Sequence, residues 1–330
     1  MLSDLVIGVD IGATNLRVAL GSLDLGIVRK VMERTPKTEN PEKVIEQIVK
    51  LIEMVASDQL AKIKAIGIGS IGPLDLRKGM ILHTPNAPFK NVPIVKGLTE
   101  KFKVPVYLLN DCNAAVLGEK IFGRGKNVDN LFYVTMSSGI GGGAIVDGNL
   151  LFGKDGNAVE LGHMIVDFEG RLKCGCGARG HWEAYCSGVN IPNFVKYLIE
   201  EYPERFRGSE LEGLVEAGNL TSEKLFERAK QGDRHALMVI DELGKINTVG
   251  FANINTLYDP ELITVGGPIA LFNRELVINP IVKNLKDYTV NRVPEIVITP
   301  LGEDIVLYGA IALAANPPSR LLSLNPLENP

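Results

Sequence analysis

Two cysteines, two histidines and two glutamates crowd one glycine-rich stretch: Glu160-Leu161-Gly162-His163, then Cys174-Gly175-Cys176-Gly177-Ala178-Arg179-Gly180-His181-Trp182-Glu183. Thiolate and neutral imidazole are the ligands zinc favours. His163, Cys174, Cys176 and His181 supply the four that a closed, structural tetrahedral site needs. The interleaved glycines allow a short loop to wrap an ion. Cys112 and Cys186 stand apart from this cluster and read as buried apolar fillers.

A second kind of chemistry is spelled by glycine turns at strand ends. In Asp10-Ile11-Gly12-Ala13-Thr14-Asn15-Leu16-Arg17 the glycine permits a tight turn whose free amides, with Thr14 and Asn15, suit phosphate oxygens. Asp10, at the end of the strand, is placed to hold magnesium through water. One such turn is an ordinary hairpin. A second, Ser137-Ser138-Gly139-Ile140-Gly141-Gly142-Gly143, makes a polyphosphate clasp the better reading. Asn110-Asp111 closes an apolar strand just before an alanine-rich helix. A carboxylate there either caps the helix or accepts the proton of an attacking hydroxyl.

Two nucleotide motifs are excluded. Gly67-x-Gly69-x-x-Gly72 has the spacing of a dinucleotide fingerprint, but Pro73-Leu74-Asp75 and Arg77-Lys78-Gly79 follow it. That is turn and hairpin composition, where the fingerprint requires a helix whose N-terminus meets the pyrophosphate. No Gly-x-x-x-x-Gly-Lys-Ser/Thr occurs, so there is no P-loop.

The elements that must carry these residues follow one plan twice. Leu5–Val9, the Gly12 turn and Leu16–Leu20 read as strand, turn and returning strand, and Leu131–Thr135, the turn Ser137–Gly143 and Ala144–Val146 repeat them. Strands ending at Gly69 and Gly267 come next in each half, and then a strand and helix: Pro105–Leu109 with Asn113–Phe122, and Pro294–Thr299 with Leu307–Ala315. Helical stretches Asn193–Tyr202 and Ser222–Arg228 fall in an insertion that also carries the cysteine cluster, and helical periodicity also marks Asp233–Leu257 and Pro41–Val55. The order predicts an α/β protein of two domains with a ligand cleft between them. Asn316–Pro330, rich in proline and asparagine, reads as a loosely held terminus.

The whole composition agrees. A chain of 330 residues has room for two cores. A net charge of −4 gives no reason to expect nucleic acid as a partner, and no apolar run is long enough to span a bilayer. The first residues lead into a strand without a basic signal region, so a cytoplasmic location is expected, where cysteines are thiols or metal ligands rather than disulfides.

Taken together these residues resemble the ROK family (repressors, open reading frames and sugar kinases) of the actin-like ATPase superfamily, over nearly the whole chain. Asp10–Arg17 looks like the family's first phosphate motif, Gly139–Gly143 like its second and Val265-Gly266-Gly267 like its adenosine turn. Gly72-Pro73 followed by Pro85-Asn86 is similar to its sugar loop, and Asn110-Asp111 to its sugar-binding Asn and catalytic base. Glu160, His163 and Glu183 match the remaining sugar contacts. The pattern departs twice: His181 stands where the third cysteine of the family signature is expected, and Ser137-Ser138 replaces Gly-Thr.

The resemblance implies two actin-like (ribonuclease H-like) domains. Residues 1–118, completed by a helix near 307–320, form the smaller, and residues 119–306 the larger. It implies transfer of the γ-phosphate of ATP, with Mg2+, to the 6-hydroxyl of glucose or a related hexose, with Asp111 as base and a structural Zn2+. Sugar-binding residues would be Gly72, Asn86, Asn110, Asp111, Glu160, His163 and Glu183. ATP-binding residues would be Asp10, Gly12, Thr14, Asn15, Arg17, Ser138, Gly139, Gly141, Gly142, Gly266 and Gly267. N-acetylmannosamine, N-acetylglucosamine or fructose are alternative acceptors. A sugar-responsive repressor is disfavoured, because the first strand begins at Leu5 and leaves no room for a helix-turn-helix. The resemblance further implies a homo-oligomer, dimer or tetramer.

Overall fold

The structure, a computed structural model, describes residues 4–83 and 87–324. Its first sheet contains β1 (Leu5–Ile11), β2 (Asn15–Ser22), β3 (Gly26–Arg34), β4 (Ile63–Ser70) and, after the short hairpin β5 (Leu74–Asp75) and β6 (Met80–Ile81), β7 (Val106–Asn110). The order is β3-β2-β1-β4-β7, with β1–β2 and β2–β3 antiparallel and β1–β4 and β4–β7 parallel. The second sheet contains β8 (Leu131–Met136), β9 (Ile140–Val146), β10 (Asn149–Leu150), β11 (Leu262–Gly266) and β12 (Glu295–Ile298), in the order β10-β9-β8-β11-β12. Both sheets run third, second, first, fourth, fifth once the small β5–β6 hairpin is set aside. The plan read twice in the sequence is the plan of the fold.

Strand alternation gives the first sheet two buried faces. Ile7 and Val9 point to one, with Val44, Ile48 and Leu51 of α1 (Pro41–Ala56) and Ile94 and Leu98 of α2 (Ile94–Phe102). Val6, Ala19 and Ala65 point to the other, against Leu307 and Ile311. Beside that face lies α3 (Asp111–Ile121).

The insertion after β10 supplies α4 (Glu183–Cys186), α5 (Ile191–Glu201), α6 (Pro203–Phe206), α7 (Glu210–Glu216), α8 (Ser222–Lys230) and the long α9 (Arg234–Tyr258). After β11 come α10 (Pro268–Phe272) and α11 (Arg274–Asn284), and after β12 come α12 (Ile305–Ala315) and α13 (Ser319–Leu324). By contacts the chain divides into two compact units, one of Met1–Tyr133, Gly143–Val159 and Thr299–Pro330, the other of Val134–Gly142 and Glu160–Ile298.

The glycines of the rejected fingerprint have a packing reason. A Cβ on Gly67 would enter the backbone of Ala310 and Ala314, and one on Gly69 would meet Val306 and Ala114. They let α12 lie directly on β4. Two expectations need correction. Gly141–Gly143 lie in β9 rather than in the turn, and a Cβ on Gly143 would run into the carbonyl of Cys112, so close approach to α3 explains that residue. The terminus is not loosely held through Leu324: Ser319–Leu324 is helical, Leu321 is 4% exposed within the first unit's core, and Arg320 Nη2 donates to the carbonyl of Gly153. Among the described residues no helix is long and apolar enough to cross a membrane.

Candidate functional site

At the first hairpin Gly12 N donates to the carbonyl of Asn15 at 3.0 Å, closing the turn. Asp10 is buried at the end of β1, and Arg17 Nη1 donates to its Oδ2 at 2.8 Å. Burial pushes the Asp10 carboxyl up to about 6, against the lowering effect of Arg17 and with a smaller push from Asp304. Thr14 is exposed, and Gly12 and Asn15 are half-buried.

The turn is stapled from behind by a segment that sequence reasoning missed. Thr35 N donates to the carbonyl of Thr14, Thr35 Oγ1 donates to that of Gly12 at 2.6 Å, and Lys37 Nζ donates to that of Ala13 at 3.2 Å. Arg34 Nη1 donates to Asn15 Oδ1 at 3.3 Å. The one sequence signal was a threonine set between basic residues at the end of a strand, too common to single out.

Asn110 and Asp111 lie where β7 meets α3. Asn110, not Asp111, is the N-cap: its Oδ1 accepts from Cys112 N at 2.9 Å. Asp111 occupies the first helical position, half-buried, and its Oδ1 accepts from the same amide at 2.8 Å. The carboxylate thus sits among the free amides of the helix start. The Asn110 amide nitrogen reaches the Gly72 turn, at 3.6 Å from where a Cβ on Gly72 would stand, and the Gly72–Pro73 peptide is cis. The first unit therefore brings Gly72, Asn110 and Asp111 together. Asn86 lies outside the described residues.

In the second unit the turn Ser137-Ser138-Gly139 is closed by Ser137 N donating to the carbonyl of Gly139, and is held by Gly188 N on the carbonyl of Ser137 at 2.7 Å. Gly267, with φ +82°, follows β11, and a Cβ there would enter the backbone of Met136. The turn at Gly266-Gly267 and the second hairpin are therefore neighbours. Glu183 joins them to the cysteine cluster. Its Oε2 accepts from Ile140 N at 3.0 Å, and Cys174 Sγ donates to its Oε1 at 3.7 Å. Glu160 opens the 3₁₀ turn Leu161–His163, its carbonyl accepting from His163 N at 3.1 Å.

The ligand atoms of His163, Cys174, Cys176 and His181 lie within 4.8 Å of one another. The two Nδ1 atoms are 3.2 Å apart, Cys176 Sγ is 3.3 Å from His181 Nδ1, and Cys174 Sγ is 3.9 Å from His163 Nδ1. Tetrahedral zinc bonds place two nitrogens about 3.3 Å apart and a nitrogen and a sulfur about 3.6 Å apart, so the donor set fits a single zinc ion. Burial, then His163, hold the His181 imidazole below its ordinary value, in the direction of the neutral ring that a metal needs. Burial pushes the Cys174 thiol up to about 11, so an ion would have to displace that proton on binding. Cys112 and Cys186 are buried and lie outside the cluster, as expected.

Fold and site together define an α/β protein built on two actin-like domains. The chain belongs to the ROK family, whose pattern it matches over residues 6–316. It is 39% identical over 315 residues to the glucokinase of Pyrobaculum calidifontis, covering 96% of each chain. Two solved structures are similar. One is a ROK hexokinase from Thermus thermophilus (29% identity, TM-score 0.80, 94% of this chain and 97% of that one). The other is a ROK family glucokinase from Streptomyces griseus in complex with glucose and AMPPNP (32% identity, TM-score 0.76, 94% and 99%).

Proposed function

We propose that the chain is an ATP-dependent glucokinase, transferring the γ-phosphoryl group of magnesium-bound ATP to the 6-hydroxyl of glucose. The observation that carries this reading is the single carboxylate of Glu183, held at once on the amide of Ile140 in the second glycine hairpin and beside Cys174 in the cluster. A phosphate turn and the metal-type cluster that includes His163 are thereby built as one piece. Glucokinase and hexokinase relatives of near-full length support the same reading.

Asp111 is the base. It takes the proton of the 6-hydroxyl as that oxygen attacks in line. Asn110 and Gly72 orient the sugar from the first unit; Glu160, His163 and Glu183 accept or donate to the other hydroxyls. The turns at Gly12-Ala13-Thr14-Asn15 and Ser138-Gly139, with Gly141 and Gly142, present donors to the phosphates, and Gly266-Gly267 faces the nucleoside. Arg17 acts through Asp10, which it orients toward the hydrated magnesium of the substrate. Zinc held by His163, Cys174, Cys176 and His181 would fix the loop and the His163 ring, and takes no part in the transfer.

A panel of hexoses incubated with ATP tests the reading. Glucose 6-phosphate is the expected main product; preference for an N-acetylated hexosamine or fructose would move the assignment within the family.

A further inference from the structure

The chain has one tryptophan, Trp182, and it is fully buried. Its Nε1 donates to Asn247 Oδ1 at 2.8 Å, across 65 residues of sequence. Asn247 is 4% exposed, on a face of α9 that otherwise buries Val239, Ile240, Leu243 and Phe251. An amide is kept at such a position only if it is hydrogen-bonded, since a leucine or methionine would fill the space without that demand. Almost one turn further along α9, a Cβ on Gly250 would stand 2.7 Å from Cδ2, Cε2 and Cε3 of the indole. The ring therefore lies flat on bare helix backbone. Phe251 meets it edge-on, with centroids 5.7 Å apart. The backbone is fixed as well, Trp182 N donating to the carbonyl of Met164 at 2.9 Å.

The neighbours of Trp182 in the chain are His181, in the metal-type cluster, and Glu183, on Ile140. We propose that Asn247 is a positioning residue for the sugar site: with Gly250 it seats the Trp182 ring, and the seated ring sets the directions in which His181 and Glu183 leave the backbone. This rests on the reading of Glu183 as a sugar contact. Asn247 touches no reacting atom; it acts through Trp182. A displacement of about 1 Å at a binding group is enough to cost ~10²-fold in rate, so the leverage is large.

The test compares wild type, Asn247→Leu, Gly250→Ala, Trp182→Phe and the Asn247→Leu, Trp182→Phe double variant, reading glucose KM, ATP KM, kcat and melting temperature. Tryptophan emission is read in the variants that keep Trp182. In Asn247→Leu the emission shifts to the blue, and glucose KM rises about tenfold or more while ATP KM rises less. Gly250→Ala also raises glucose KM, although alanine is the better helix former and would leave a merely helical position intact or firmer. It is the variant to read should Asn247→Leu fail to fold. The double variant matches the worse single, because both act through one ring. A folded Asn247→Leu with glucose KM within about twofold of wild type overturns the proposal. So does a double variant whose effect is the product of the singles. An inactive wild type would instead overturn the assigned reaction.

Discussion

Glu183 Oε2 accepts the Ile140 amide at 3.0 Å, so a carboxylate expected only at the sugar is also the anchor of the second glycine hairpin. Replacing Glu183 is therefore expected to reach both ligands rather than the sugar alone. Ile140 is 5% exposed, and an amide left there without a partner costs about 1–3 kcal/mol, roughly 5- to 150-fold. Glu183→Ala is expected to raise sugar KM strongly and ATP KM to a lesser degree, whereas Glu183→Gln, which retains an acceptor for Ile140, raises sugar KM alone. Steady-state kinetics in both substrates check this. An ATP KM that rises more than the sugar KM would remove Glu183 from the sugar.

Asp10 gives a pH signature. Its folded value of about 6 lies above the ordinary 3.8, so the native state holds the proton more tightly than the unfolded chain does. Stability from this group is present at low pH and is lost as pH rises through the window from about 4 to about 6. Asp10→Asn removes the titration, so its melting temperature relative to wild type should climb between pH 4.5 and pH 7 and level off above. Thermal melts across that range check it; a constant difference would show that burial does not govern Asp10.

The ligand set predicts one zinc per purified chain. His181→Ala should lose most of the metal and His181→Cys should retain it, since imidazole and thiolate both suit the geometry. Chelation should lower the melting temperature of wild type. Metal analysis decides: wild type without stoichiometric zinc would contradict the site, and full occupancy in His181→Ala would remove His181 from it.

Leu321 predicts that the end of the chain contributes to the core. Leu321→Ala should destabilise by about 2–5 kcal/mol, the range for a buried leucine. Denaturant unfolding measures it, and a change under about 0.5 kcal/mol would mean the helix Ser319–Leu324 is not docked.

What could be read in the sequence was local in it. The two hairpins, Asn110-Asp111 and three of the four metal-type ligands each occupy a few consecutive residues, and turn chemistry or ligand spacing speaks within such spans. The contacts that tie the site together do not: Ile140 to Glu183 spans 43 residues and Trp182 to Asn247 spans 65. Glycine misled in two places because it serves packing as well as turns. Gly67 and Gly69 imitated a phosphate fingerprint while making room for α12, and Gly143 was read as turn while admitting Cys112. The final helix was hidden by the Pro317-Pro318 pair, which ends α12 but leads directly into another helical turn.

Asp111 carries the account, and one variant tests it. With ATP and glucose, wild type should form glucose 6-phosphate. Asp111→Asn should bind glucose, as measured by calorimetry, yet lose about 10²–10⁴-fold in kcat. Near-normal turnover by Asp111→Asn would contradict the assigned base, and a wild type that phosphorylates no hexose would contradict the function itself.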